Sequence, residues 1–213
     1  MTIRDLAHAA DYNCPVPITP VRLAVLASGS GSNLQAIFDH LDALGAECAA
    51  RVVLVASDRR DAFALERARR HNIASAFIER PADGTALADL LIGHDVQLIA
   101  LAGYLKRVPA VVTERWRNAI VNVHPALLPR FGGTGMYGRH VHSAVLAAGD
   151  AESGATVHLV DNEYDHGAII AQERVRVEAG DTAASLGARV LEAEHRLYPR
   201  VIHDLALAFA GRA

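Results

Sequence analysis

The sequence predicts an α/β fold: a doubly wound, mostly parallel twisted sheet with flanking helices and an antiparallel C-terminal part. Three observations carry that expectation. Short runs of branched apolar residues recur without polar alternation, as in strands buried on both faces. Stretches with helical apolar spacing lie between them. Beyond about residue 150, two runs alternate apolar and polar residues, as the arms of a hairpin do. The 213 residues are 51% hydrophobic, enough for one sizeable core and a single domain over residues 21–213. A net charge of −3 argues against a nucleic-acid or membrane-surface partner. No apolar run reaches the roughly 18 residues of a membrane span. Two cysteines, Cys14 and Cys48, imply no disulfide framework, and a reducing cytoplasm is the simplest setting.

Residues 1–20 are expected to form an N-terminal extension, poorly ordered, because Pro15, Pro17 and Pro20 crowd a weakly patterned segment. The run VRLAVLA (21–27) is the first strand, SGSGSN (28–33) a turn, and LQAIFDHLDAL (34–44) a helix. RVVLVAS (51–57) is a strand, DAFALERARRHN (61–72) a helix, IASAFI (73–78) a short strand and GTALADLLIGH (84–94) a helix. VQLIALAG (96–103) and AIVNV (119–123) are two further buried strands, and HVHSAVLAA opens another helix. GATVHLV (154–160) and AIIAQERVRV (168–177) form the hairpin, with residues 161–167 as its long loop. A last helix runs from about Thr182 to Ala210, with Asp181 as its expected N-cap and Pro199 expected to kink or divide it.

The turn Ser28-Gly29-Ser30-Gly31-Ser32-Asn33 joins a strand to a helix N-terminus, where free N–H groups and close backbone approach suit an anion. It matches neither the dinucleotide nor the triphosphate motif, so a single phosphate monoester fits best. The alternative is a tight turn in which Ser or Asn caps the helix. Downstream, Asn122 and His124 share one side of a strand end, the end at which open α/β sheets bind ligands. Asn can donate to an oxyanion and His can move a proton near neutral pH. The alternative is that both satisfy nearby backbone groups. No Ser or Cys nucleophile accompanies them in sequence. His140 and His142, two apart on a helix, do not share a face, so no metal is expected.

The segments VLASGSGSNLQAI (25–37), DAFALERAR (61–69), LAGYLKRV (101–108), NVHPALLPRF (122–131), SGATVHLVDNEYDHGAIIAQ (153–172) and EHRLYP (194–199), in that order, resemble the folate-dependent formyltransferases. The resemblance spans residues 21 to about 205 and implies the formyltransferase fold, a Rossmann-like version of the predicted sheet. It implies formyl transfer from 10-formyltetrahydrofolate, a cosubstrate, to the primary amine of glycinamide ribonucleotide in purine biosynthesis, with no metal, by a monomer or homodimer. A related enzyme acting on another amine, such as an amino-sugar nucleotide, is the second reading. A non-catalytic ligand-binding domain is a third, against which the intact Asn122, His124 and Asp165 argue.

By the same resemblance, Asn122, His124 and Asp165 are catalytic. Gly31, Ser32, Asn33 and Glu194 hold the ribonucleotide. Leu105, Lys106, Arg107 and Val108 face the folate, with Asn122, Asp161 and Asp165 opposite. Asp165 is expected to keep His124 charged, raising its pKa. Two departures stand out: the Gly-rich run 132–138, and His166 after Asp165, a third histidine expected near the site.

Overall fold

The computed structural model describes residues 19–210. The expected N-terminal extension therefore lies almost wholly outside the described residues. From Val21 the chain alternates strand and helix: β1 (Val21–Leu26), α1 (Ser32–Leu44), β2 (Ala50–Ser57), α2 (Phe63–Arg70), β3 (Ala74–Phe77), α3 (Gly84–Gly93), β4 (Leu98–Leu101), α4 (Ala110–Arg115) and β5 (Ile120–His124). After α5 (Arg139–Ala147), the hairpin β6 (Glu152–Leu159) and β7 (Ile169–Arg176) leads into α6 (Ala183–Ala210).

The strands form one seven-stranded sheet in the order β3-β2-β1-β4-β5-β6-β7. The first five in that row are parallel. β6 runs antiparallel to β5, and β7 antiparallel to β6. Leu23 to Leu26 and Leu98 to Ala100 are fully buried, because helices cover both faces of the central strands. The order reverses between β1 and β4, the crevice where such sheets take ligands. The two segments leaving that crevice are the SGSGSN turn and the stretch from Gly103 to Val108.

Helix α6 runs through Pro199 without a break, contrary to the expected division. Pro costs a helix interior about 3 kcal/mol. Here Tyr198, Val201 and Ile202, all buried around it, press the helix onto the sheet. The Tyr198 hydroxyl donates to the carbonyls of Leu101 (3.1 Å) and Val121 (2.9 Å), tying α6 to β4 and β5. Asp181 is not the cap of α6. Thr182 Oγ1 accepts from Ser185 N–H (3.1 Å), while Asp181 is occupied by Arg189 and by the N–H of Glu178 (2.8 Å). Among the described residues no helix is long and apolar enough to cross a membrane.

Candidate active site

The crevice opens into a cavity of about 710 Å³. One wall is the 103–108 segment, the opposite wall is the 160–165 loop, and the floor is the end of β5. Leu105, Lys106, Arg107, Val108, Asn122, Asp161 and Asp165 all line it, as expected. The two walls are joined: Arg107 donates to the carbonyl of Asn162, and Thr113 Oγ1 donates to Asn162 Oδ1 (2.6 Å).

Asn122, His124 and Asp165 meet in this cavity. Two-residue alternation puts Asn122 and His124 on one side of β5. Asp165 reaches them from the β6–β7 loop, with φ +54°. A glycine follows two residues later because a Cβ on Gly167 would stand 1.9 Å from the carbonyl oxygen of Leu159. Asp165 Oδ2 lies 3.4 Å from His124 Nδ1 and accepts from Gly133 N–H (2.9 Å). Its Oδ1 lies 3.5 Å from Asn122 Nδ2.

The third histidine of the group is His158, not His166. His158 sits opposite Asn122 in the β5–β6 register, with its Nε2 3.1 Å from Asn122 Nδ2 and 3.5 Å from Asp165 Oδ1. Its Nδ1 is 2.7 Å from the Leu159 carbonyl, which can only accept, so that nitrogen carries a proton. His166 is exposed and bonds Asp161 Oδ2 (2.9 Å) outside the cluster. Only the antiparallel register of β6 against β5 places His158 here.

His124 is 3% exposed. Burial pushes its pKa below the ordinary value, outweighing the pull of Asp165 and of the Phe131 carbonyl. The expected raised pKa is therefore corrected: the shift is downward. Its Nε2 lies 2.8 Å from the Phe131 carbonyl and carries the proton. Asp165 stays ionised. Burial pushes its carboxyl up, but His158, His124 and the Gly133 N–H together hold it below the usual range.

At the other end of the cavity stand Asn33 and Glu194, joined by a 2.6 Å bond from Asn33 Nδ2 to Glu194 Oε2. Gly31 and Ser32 are not among the lining residues. Gly31 has φ +69°, and a Cβ there would come 2.9 Å from Ala64, so the turn sits hard against α2. No side chain caps α1, so the cap alternative for this turn does not hold. Burial pushes the Glu194 carboxyl up to about 7, with Asn33 opposing. Sequence reasoning missed the aromatic side chains of the cavity, Tyr104, Tyr137 and Tyr164, which lie on irregular segments.

An open α/β sheet with a bare helix N-terminus at one end of its crevice and an Asn–His–Asp group at the other fits a group-transfer enzyme holding two small molecules side by side. The chain belongs to the formyl transferase family, whose model matches residues 21–202. It is 42% identical over 188 residues to a chloroplastic phosphoribosylglycinamide formyltransferase of Arabidopsis thaliana, covering 85% of this chain and 64% of that one. It is 37% identical to the phosphoribosylglycinamide formyltransferase of Haemophilus influenzae, over 85% of each chain. The crystal structure of glycinamide ribonucleotide transformylase 1 from Symbiobacterium toebii superposes with a TM-score of 0.81 at 39% identity, over 89% of each chain. The chain thus spans less than two thirds of the Arabidopsis relative.

Proposed function

We propose that the chain transfers the formyl group of 10-formyltetrahydrofolate to the primary amine of glycinamide ribonucleotide, in the cytoplasm, as a monomer or homodimer. The observation that carries this reading is the convergence of Asn122, His124 and Asp165 in one cavity whose far end holds Asn33 and Glu194. Phosphate would lie at the N-terminus of α1, the ribose near Glu194, and the folate between the 103–108 segment and the 160–165 loop.

The substrate supplies the nucleophile. A free α-amino group has a pKa of about 7.7–8.0, so a useful fraction is neutral near pH 7. Ionised Asp165 attracts and orients it. Attack forms a C–N bond and leaves a tetrahedral oxyanion. The Asn122 amide donates to that oxyanion, giving up its longer contact with Asp165. The new negative charge raises the proton affinity of His124, and a proton on Nδ1 would face Asp165 Oδ2. The amine loses one proton, which passes through His124, Asp165 or water to the folate nitrogen as the old C–N bond breaks. Holding both substrates in line supplies up to roughly 7–11 kcal/mol of the barrier.

The test is the absorbance change on folate deformylation. It should require glycinamide ribonucleotide and be absent with an amino-sugar nucleotide. Turnover with the latter alone would replace this reading by the related formyltransferase.

A further inference from the structure

The turn between β1 and α1 is braced from outside by α2. The Gly29 carbonyl accepts from Ala64 N–H (3.2 Å) and the Ser30 carbonyl accepts from Arg67 Nε (2.9 Å). The same guanidinium donates from Nη1 to Gln35 Oε1 (2.8 Å) in the first turn of α1. The Gly31 carbonyl is taken by Gln35 N–H (2.9 Å). All three carbonyls that could repel an anion are therefore engaged, while the N–H groups opening α1 meet no side-chain cap. Arg69 and Arg70 both pair with Glu66, but Arg67 pairs with no carboxylate among the described residues. Its whole charge adds to the positive end of the α1 dipole.

We propose that Arg67 is a positioning and specificity residue for the phosphate monoester of the ribonucleotide. The inference rests on the reading that this turn holds that phosphate. Arg67 acts through the turn: it keeps the Ser30 carbonyl directed at α2 and supplies an unneutralised charge behind the N–H groups. A lysine would keep the charge but lose the fork that grips Ser30 and Gln35 together.

The experiment compares wild type, Arg67→Gln and Arg67→Lys, each as the full chain, with glycinamide ribonucleotide and with the same compound lacking its phosphate. Loss of one charge-assisted contact predicts a KM for the phosphorylated substrate raised about tenfold in Arg67→Gln. Its kcat should stay within about twofold of wild type, its KM for the folate should not move, and the unphosphorylated compound should be used as before. Arg67→Lys should recover part of the loss. An unchanged KM, or equal loss for both compounds, overturns the proposal. Should Arg67→Gln fail to fold, Arg67→Lys decides: a KM raised about threefold for the phosphorylated compound alone is expected from the lost fork, and an unchanged one overturns the proposal. Wild-type protein that treats both compounds alike would instead remove the phosphate site itself.

Discussion

Asp165 is an acid held in left-handed backbone geometry with both oxygens facing partners, and two of its neighbours are imidazoles. Asp165→Asn tolerates that backbone and can still accept from Gly133, but it removes the charge and the oxygen that faces Asn122 Nδ2. Turnover should fall about 10²–10³-fold, the usual loss for a preorganised electrostatic group, with ligand affinities changed far less. His124, already pushed down by burial, should titrate lower still, which NMR of the ring can follow. Near-normal turnover would take Asp165 out of the chemistry. Glu194→Gln probes the opposite end. The neutral amide keeps the contact with Asn33 without a buried charge, so the variant should gain up to about 3 kcal/mol at pH 7.5 on the scale of 1.36 kcal/mol per pKa unit. The folded carboxyl titrates above its unfolded counterpart, so the wild-type penalty grows as pH rises from about 4.5 to about 7 and is nearly absent at pH 4. Denaturant midpoints at both pH values test this, and a variant no more stable at pH 7.5 sinks it. Asn122 and His124 were legible as a pair because strand period alone aligns them. Asp165 was legible only through resemblance, since no local pattern says where a loop carboxylate lands. The place of His158 depended on strand register, and the charge of His124 on burial, and neither is visible in a linear reading.

At the scale of elements, the strands were readable because apolar runs with few alternatives must be buried. The six-residue α4 was not: it is shorter than two turns, and only Val112 and Thr113 face inward. The cap of α6 moved from Asp181 to Thr182 because Arg189 and a backbone N–H compete for the acid. Pro199 does not divide α6, and local propensity says nothing of the Tyr198, Val201 and Ile202 packing that offsets its cost. The Tyr198 hydroxyl is the measurable part of that packing. Tyr198→Phe keeps the ring and leaves the carbonyls of Leu101 and Val121 without this donor, so stability should drop by about 1–3 kcal/mol. An unchanged denaturation midpoint would mean that apolar contact alone seats α6.

At the scale of the whole molecule, His40, His124, His142 and His195 all have pKa values pushed down, with burial the first cause in each. Unfolded rings take up protons near pH 6.5. Between that pH and the folded values only the unfolded chain binds those protons, so stability is complete above about pH 6.5 and is lost as pH falls. Glu194 works the other way between about 4.5 and about 7. Four rings against one carboxyl predict a lower denaturant midpoint at pH 5.5 than at 7.5, and a steeper fall in Glu194→Gln. A flat profile would contradict the burial account. Removing residues 2–18 should change neither melting temperature nor turnover, because that stretch carries no core-like periodicity and precedes β1. The direction change between β5 and β6 also divides the chemistry along the chain. Residues up to 131 supply Asn33, Asn122 and His124, residues from 139 supply Asp165 and Glu194, and exposed glycines and their neighbours join them at 134–138. A chain cut there makes two fragments that are each chemically blank. Formyl transfer would appear only when both are mixed and α6 closes over the parallel strands, which makes this sheet a natural scaffold for a split reporter of protein association.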